Sequence, residues 1–254
     1  MKLGMVTYQI AKDWDVPTLI DKCTSLGYQG VELRTTHAHG VEVSLSSQER
    51  SEVRKQFEDS GIEIAGLGST FEFHAVEPEV VRENIEGTIE AAKLAADVGC
   101  SGVKVRPNGL QVKNGISAEK TLEQIGRAVG ECAKVANDLG VQIRVEVHGN
   151  ETKDPKNMKV IMDHADHANA YACWNSNDTD VINGSITENF NLLKDKIGLV
   201  HITEMHNESY PWQDLFDRLK AENYSGFTLA EIPASPEADR LLSYYRALWK
   251  AYTA

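Results

Sequence analysis

Apolar residues gather into eight short runs along the chain, and in four of them the polar residues keep to one parity. These are Val31-Glu32-Leu33-Arg34, Val103-Lys104-Val105-Arg106, Ile143-Arg144-Val145-Glu146-Val147-His148 and Val200-His201-Ile202-Thr203. A strand points alternate side chains to opposite faces, so one face of each run packs under helices and the other lines a polar interior. The pattern predicts strands near 3–9, 30–34, 62–67, 102–106, 141–148, 170–175, 198–203 and 227–232. Helix-like segments fill the gaps; within 78–98, Val81, Ile85, Ile89, Ala92 and Ala96 form one stripe at helical spacing. Gly27 with Gly30, Gly61, Gly99 with Gly102, and Gly140 precede four of the strands, as glycines that end helices in a left-handed cap do. Ser47 and Ser117 stand before acidic first-turn residues, and Pro78 and Pro155 suit first helical turns.

Eight alternations of strand and helix give a parallel sheet, either a closed barrel or an open doubly wound sheet. The first strand is followed by Thr7-Tyr8-Gln9-Ile10 and no glycine-rich phosphate loop. This favours an α/β fold of the (β/α)₈ TIM-barrel type, one domain over 1–254, and the length of 254 residues suits it. The net charge of −12 argues against a nucleic-acid surface, which needs clustered Lys and Arg. No membrane span or leader pattern stands out, so a cytoplasmic protein is expected. Cys23, Cys100, Cys132 and Cys173 lie far apart without CxxC spacing and read as buried free thiols.

Strong ligand types end three of the last four strands: Glu146 on the fifth, His201 on the seventh and Glu231 on the eighth, with Asn175 ending the sixth. In a parallel barrel all strand C-termini meet at one mouth, where such folds build their active sites. Two carboxylates, an amide oxygen and an imidazole suit one divalent ion, Mn²⁺, Mg²⁺ or Co²⁺ first and Zn²⁺ next. Lys104 and Arg106 share the inward parity of the fourth strand, where they can meet a phosphate group or pair internally with Glu32 or Glu146. His148, on the same face as Glu146, is placed to hydrogen-bond a hydroxyl. His37, His39 and His74 fall in mouth-side loops, and Trp14, Trp174 and Trp212 are candidates for apolar walls of the site, with core packing the default for any Trp.

Four motifs in this order resemble the xylose isomerase-like α/β barrels, a family of sugar and sugar-phosphate isomerases and epimerases with a DNA-repair endonuclease branch. They are Gly30-Val31-Glu32-Leu33-Arg34, Val145-Glu146-Val147-His148-Gly149-Asn150, Val200-His201-Ile202 and Leu229-Ala230-Glu231-Ile232. The resemblance implies an ion held by Glu146, position 175, His201 and Glu231, with Glu146 and Glu231 as the proton-transferring pair on the two faces of the sugar. The family usually has Asp at position 175, where this chain has Asn175, so Asp178 is an alternative ligand or substrate contact. Glu151 falls where epimerases carry a substrate-orienting acid. The implied activity is a sugar or sugar-phosphate isomerase or epimerase working through an enediolate, on a small-molecule substrate, with no nucleic acid or membrane partner and with a homo-oligomer compatible. Alternatives are a keto-sugar or keto-glycoside lyase or dehydratase, a phosphodiesterase on abasic DNA, and a sugar-binding barrel without catalysis.

Overall fold

The computed structural model describes residues 1–254 and closes its eight parallel strands into a barrel in sequence order. The strands are β1 (Lys2–Val6), β2 (Gly30–Arg34), β3 (Glu63–Glu72), β4 (Gly102–Arg106), β5 (Gln142–Glu146), β6 (Ala170–Asn175), β7 (Ile197–Ile202) and β8 (Phe227–Ala230). The helices are α1 (Val16–Leu26), α2 (Ser47–Ser60), α3 (Pro78–Asp97), α4 (Ala118–Asp138), α5 (Pro155–Ala165), α6 (Thr187–Leu193), α7 (Trp212–Ala221) and α8 (Ala238–Thr253). No helix is long and apolar enough to cross a membrane.

The local signals explain most boundaries. Ser117 caps α4 by accepting from Lys120 N–H, and Pro78 and Pro155 open α3 and α5. The cap of α2 is Ser46, one residue before the serine singled out above, because only there does the side chain reach Glu49 N–H while Glu49 reaches back to Ser46. Strands β1, β5 and β8 are shorter than expected, so His148 and Glu231 lie just past the ladder; Glu231 N–H still donates to Ile202 O at 2.9 Å. β3 is longer, since its register shifts against both β2 and β4. The four cysteines are buried free thiols, and burial pushes Cys23 and Cys132 up to about 12 and Cys100 up to about 11.

Gly27, Gly61, Gly99 and Gly140 do carry the positive φ of helix ends, but Gly30 and Gly102 serve another purpose. They face the lumen, where Phe227 fills the space over Gly30 and the Arg144 guanidinium fills that over Gly102. Arg144 is 4% exposed and holds Ala65 O at 2.6 Å, Ser101 Oγ at 2.9 Å and Gln142 Oε1 at 2.9 Å, forming part of the barrel floor. A Cβ at Gly30 would stand 2.6 Å from Phe227 and 2.8 Å from the Glu63 carbonyl. Gly30→Ala is therefore expected to lower stability by about 1–3 kcal/mol, the cost of overpacking a filled core. Urea unfolding with an unchanged midpoint would show that the floor yields.

Candidate active site

Lumen-facing side chains above the floor come from every part of the barrel, and their room is made by β3. A Cβ at Gly68 would meet Glu32 Oε1 at 2.7 Å and one at Gly66 would meet Glu32 Oε2 at 3.2 Å, so two glycines let the Glu32 carboxylate lie across the barrel. Glu32 is fully buried and accepts from His201 Nε2–H at 3.1 Å. Burial works against its charge, yet His201 and Lys104 outweigh it and hold the carboxyl below its ordinary value. Burial works against a second proton on His201, yet Cys173, Glu32 and Glu231 hold its pKa well above the ordinary value. With Nε2–H on Glu32, Nδ1 is turned to the mouth, where a bound ion would take the place of its proton. Nδ1 is buried without a hydrogen-bond partner, 3.5 Å from Glu146 Oε1 and 3.4 Å from Glu231 Oε2.

These three residues offer ligand atoms within 4.8 Å of one another. An orphaned imidazole nitrogen aimed between two carboxylate oxygens, with its far nitrogen on a carboxylate, is the donor arrangement of a divalent-cation site. The residues fit the ion expected from the sequence. Glu146 and Glu231 differ in their surroundings. Glu146 receives Lys104 Nζ on Oε2 at 2.6 Å and Asn175 Nδ2 on Oε1 at 3.2 Å, with its side chain 4% exposed. Burial opposes its charge, but Lys104, His201 and His148 drive its pKa well below the ordinary value. The side chain of Glu231 is 19% exposed and faces only the His201 ring among these groups.

Above this layer opens a cavity of about 970 Å³. Arg34, Lys104, Arg106 and His148 line one side, and Glu204, Glu208 and Glu231 are its carboxylates along with Glu146. Arg106 donates to Glu72 at 2.6 Å; Asn108 Nδ2 also reaches Glu72, and His148 Nδ1 donates to Asn108 Oδ1 at 3.1 Å. His148 thus turns its other nitrogen away from this network, free to accept from a hydroxyl.

Of the expected site residues, Glu146, His201, Glu231, Lys104, Arg106 and His148 come together here. Asn175 also reaches the cluster, its amide Nδ2 donating to Glu146 Oε1 at 3.2 Å beside the three-residue donor set. Two residues fall elsewhere. Glu151 is exposed beyond the cavity at a φ of 64°, where the chain turns after Gly149. Asp178, its side chain 80% exposed, is tied to Lys153 Nζ at 2.6 Å. Lys104 takes the internal pairing, with Glu146, while still lining the cavity. His37 is hydrogen-bonded to Thr7 and His39 to Arg34 O, and the histidine that does line the cavity besides His148 is His206. None of Trp14, Trp174 and Trp212 borders the cavity; its apolar and aromatic lining is Val6, Tyr8, Ile232 and Pro233. Glu32, Arg34 and the acidic pair Glu204 and Glu208 went unnamed as site residues. Parity alone signals Glu32 and Arg34, and nothing in the pattern signals the other two.

Trp174 instead belongs to a buried column behind the site: its Nε1 donates to Tyr210 Oη at 3.1 Å, which donates to Asp180 Oδ2 at 2.9 Å. Burial pushes the Asp180 carboxyl from 3.8 to about 8, since Oδ1 has no partner. The native state therefore keeps a proton that the unfolded chain has released, and stability falls as pH rises from about 4 to about 8. Asp180→Asn, neutral throughout, is expected to flatten this decline and raise Tm most at pH 8 and above. A variant whose Tm falls with pH as steeply as the wild type would remove Asp180 as the cause.

The model of the xylose isomerase-like TIM barrel family matches residues 20–248. Among solved structures, D-psicose 3-epimerase from Clostridium cellulolyticum H10, with D-tagatose, superposes with a TM-score of 0.83 at 16% identity, covering 100% of this chain and 99% of that one. The 3-keto-D-glucoside 4-epimerase YcjR from E. coli gives 0.79 at 15% identity over 97% and 99% of the two chains. The IolI protein with a bound zinc atom gives 0.80 at 16% identity over 100% and 98%. At these identities the likeness establishes the shared fold. No curated protein matches the chain in sequence.

Proposed function

Because the chain belongs to the xylose isomerase-like TIM barrel family, we propose that it is a divalent-metal-dependent isomerase or epimerase of a keto-sugar, working through an enediolate. The observation that carries this reading is His201 Nδ1, buried and unpartnered between Glu146 and Glu231 while Glu32 holds the opposite nitrogen. The structural neighbours include epimerases of free and keto-sugars and a zinc-binding relative, which agrees with it. An ion bound by Glu146, His201 and Glu231 supplies Lewis acidity that stabilises negative charge on the substrate's carbonyl oxygen.

The residues of the chain do the rest. Glu231, exposed to the cavity and without a hydrogen-bond donor, takes the carbon-bound proton. Glu146 serves the opposite face, with Lys104 and Asn175 fixing its carboxylate. His148 accepts from a substrate hydroxyl through the nitrogen not used by Asn108. Epimerisation returns the proton to the other face of the same carbon, and isomerisation returns it to the neighbouring carbon.

The inequality of the two glutamates favours a second outcome of the same enediolate. With both Glu146 oxygens engaged and Glu231 free, one base is ready and the other is restrained, as in β-elimination from a keto-glycoside. There Glu231 takes the proton beside the carbonyl, the C–O bond to the leaving sugar breaks as the enolate collapses to an enone, and the leaving oxygen takes a proton from water. A screen of keto-sugars and keto-glycosides with metal-supplemented protein in deuterated water tests both readings. The expected result is deuterium at one carbon beside the carbonyl and metal at one equivalent per chain, with product identity separating epimer, isomer and eliminated sugar. Protein that holds one equivalent of metal and exchanges no substrate hydrogen would overturn the enolisation reading.

A further inference from the structure

Arg34 is the one cation of the cavity without a carboxylate. Its side chain is half-buried at the end of β2, its NH1 donates to Thr35 Oγ1 at 3.1 Å, and no acidic group lies within ion-pair distance of it. It lines the cavity beside Arg106, close enough that burial first and Arg106 second lower its pKa, against the pull of the more distant Glu146 and Glu32. Guanidinium groups stay charged in proteins, so two of them share one wall with a single carboxylate, Glu72, on the Arg106 side. The Arg106 Nε is itself buried without a partner. The other acidic residues of the cavity, Glu204, Glu208, Glu146 and Glu231, leave Arg34 unpaired as well, although the chain as a whole carries a net charge of −12. Gly68, paired with both Arg34 and Lys104 across β3, keeps the wall free of a side chain: a Cβ there would stand 3.4 Å from Arg34 Cδ.

We propose that Arg34 and Arg106 form a subsite for a terminal anionic group of the substrate, so that the sugar handled is a phosphorylated or carboxylated ketose and not a neutral one. This rests on the keto-sugar reading of the same cavity. The height of the two arginines above the proton-transfer layer sets where the anion lies. Arg106 follows Lys104, the partner of Glu146, by two strand residues, a rise of about 7 Å. That is the reach of a substituent at the far end of a five- or six-carbon chain whose keto end meets Glu146 and Glu231. The carboxylate of a 2-keto acid would lie at the lower layer, beside His201. Planar guanidinium forks bind phosphate and carboxylate oxygens with paired N–H donors, and the Arg34 fork has most of its donors free for that.

The test compares neutral ketohexoses, their 6-phosphates and the corresponding 6-carboxylates, by solvent deuterium exchange and by calorimetric binding. Wild-type protein is expected to favour one anionic form over its neutral parent by tenfold or more in kcat/KM, and the form favoured identifies phosphate or carboxylate as the group. Arg34→Gln and Arg106→Gln should each shrink that preference on the order of tenfold to a hundredfold, the worth of a charge-assisted hydrogen bond. Arg34→Lys should restore part of it. Lys153→Gln, which removes a cation outside the cavity, should leave it intact. Equal handling of neutral and anionic sugars, or a preference that survives both arginine substitutions, would overturn the proposal. Should no sugar exchange hydrogen, the enolisation reading falls and calorimetry alone decides the subsite: tighter binding of the 6-phosphate or 6-carboxylate than of the neutral sugar, lost in Arg34→Gln, upholds it, and equal affinities reject it.

Discussion

Glu231→Gln is expected to lower the rate of substrate hydrogen exchange by roughly 10²–10⁴, the contribution of one positioned acid/base group, while the protein stays folded and keeps metal. The amide retains an oxygen for the ion but has no basic lone pair for a carbon-bound proton. Glu231 makes no hydrogen bond to Lys104, whose ion pair is with Glu146, so its neutralisation leaves that buried pair intact. Glu146→Gln differs in kind. Lys104 is 4% exposed and its ion pair is with Glu146 at 2.6 Å, so the variant leaves a buried ammonium without its direct partner and with only the field of the more distant Glu32 and Glu231. Removing one member of a buried pair costs about 3–5 kcal/mol, and a lower Tm should accompany the loss of rate. In an epimerase with two bases, each variant should also lose exchange from one epimer and keep it from the other. In an enzyme with Glu231 as its one base, Glu231→Gln should silence exchange from both. Wild-type exchange in both variants would leave these carboxylates as ligands at most.

The barrel was legible because strand parity and helix-ending glycines are local, and both survive folding unchanged. Convergence of Glu146, His201 and Glu231 followed from one topological fact, that parallel strands end at one mouth. What escaped depends on contacts across the lumen. The role of Glu32 needs Gly66 and Gly68 on β3 to clear its path, and two glycines in a strand read equally well as a weak strand or a bulge. The contact of the Asn175 amide nitrogen with Glu146 Oε1 is of the same kind, since it spans two neighbouring strands. Glu151 was placed by resemblance, where epimerases carry a substrate-orienting acid, but a φ of 95° at Gly149 turns the chain against Asn108 and leaves Glu151 exposed. The tryptophans were candidates for sugar-facing walls with core packing as the default, and Trp174 takes the default: it points to the helix side of β6, opposite in parity to Cys173 and Asn175, and is fully buried against Phe190.

His201→Ala is expected to abolish metal binding and to lower stability without metal as well. The first effect removes the imidazole from the three-residue donor set, and with it the stabilisation an ion gives by binding only the folded state. The second arises at Glu32, which loses its 3.1 Å hydrogen bond at full burial and keeps only the field of Lys104. A stranded buried carboxylate costs about 3–5 kcal/mol. Glu32→Gln separates the two effects. The amide oxygen still accepts from His201 Nε2–H, so the ring keeps its orientation and the buried charge is gone, but the imidazole is a poorer donor to metal. Partners of this kind are worth about 10- to 100-fold in metal affinity. Titration with Mn²⁺ and Zn²⁺ beside thermal unfolding in chelator should therefore show Glu32→Gln folded with weakened binding, and His201→Ala unstable with none. Full metal affinity in Glu32→Gln would mean that the buried carboxylate serves only to neutralise Lys104, and one equivalent of tightly held metal in His201→Ala would move the ion away from this cluster altogether.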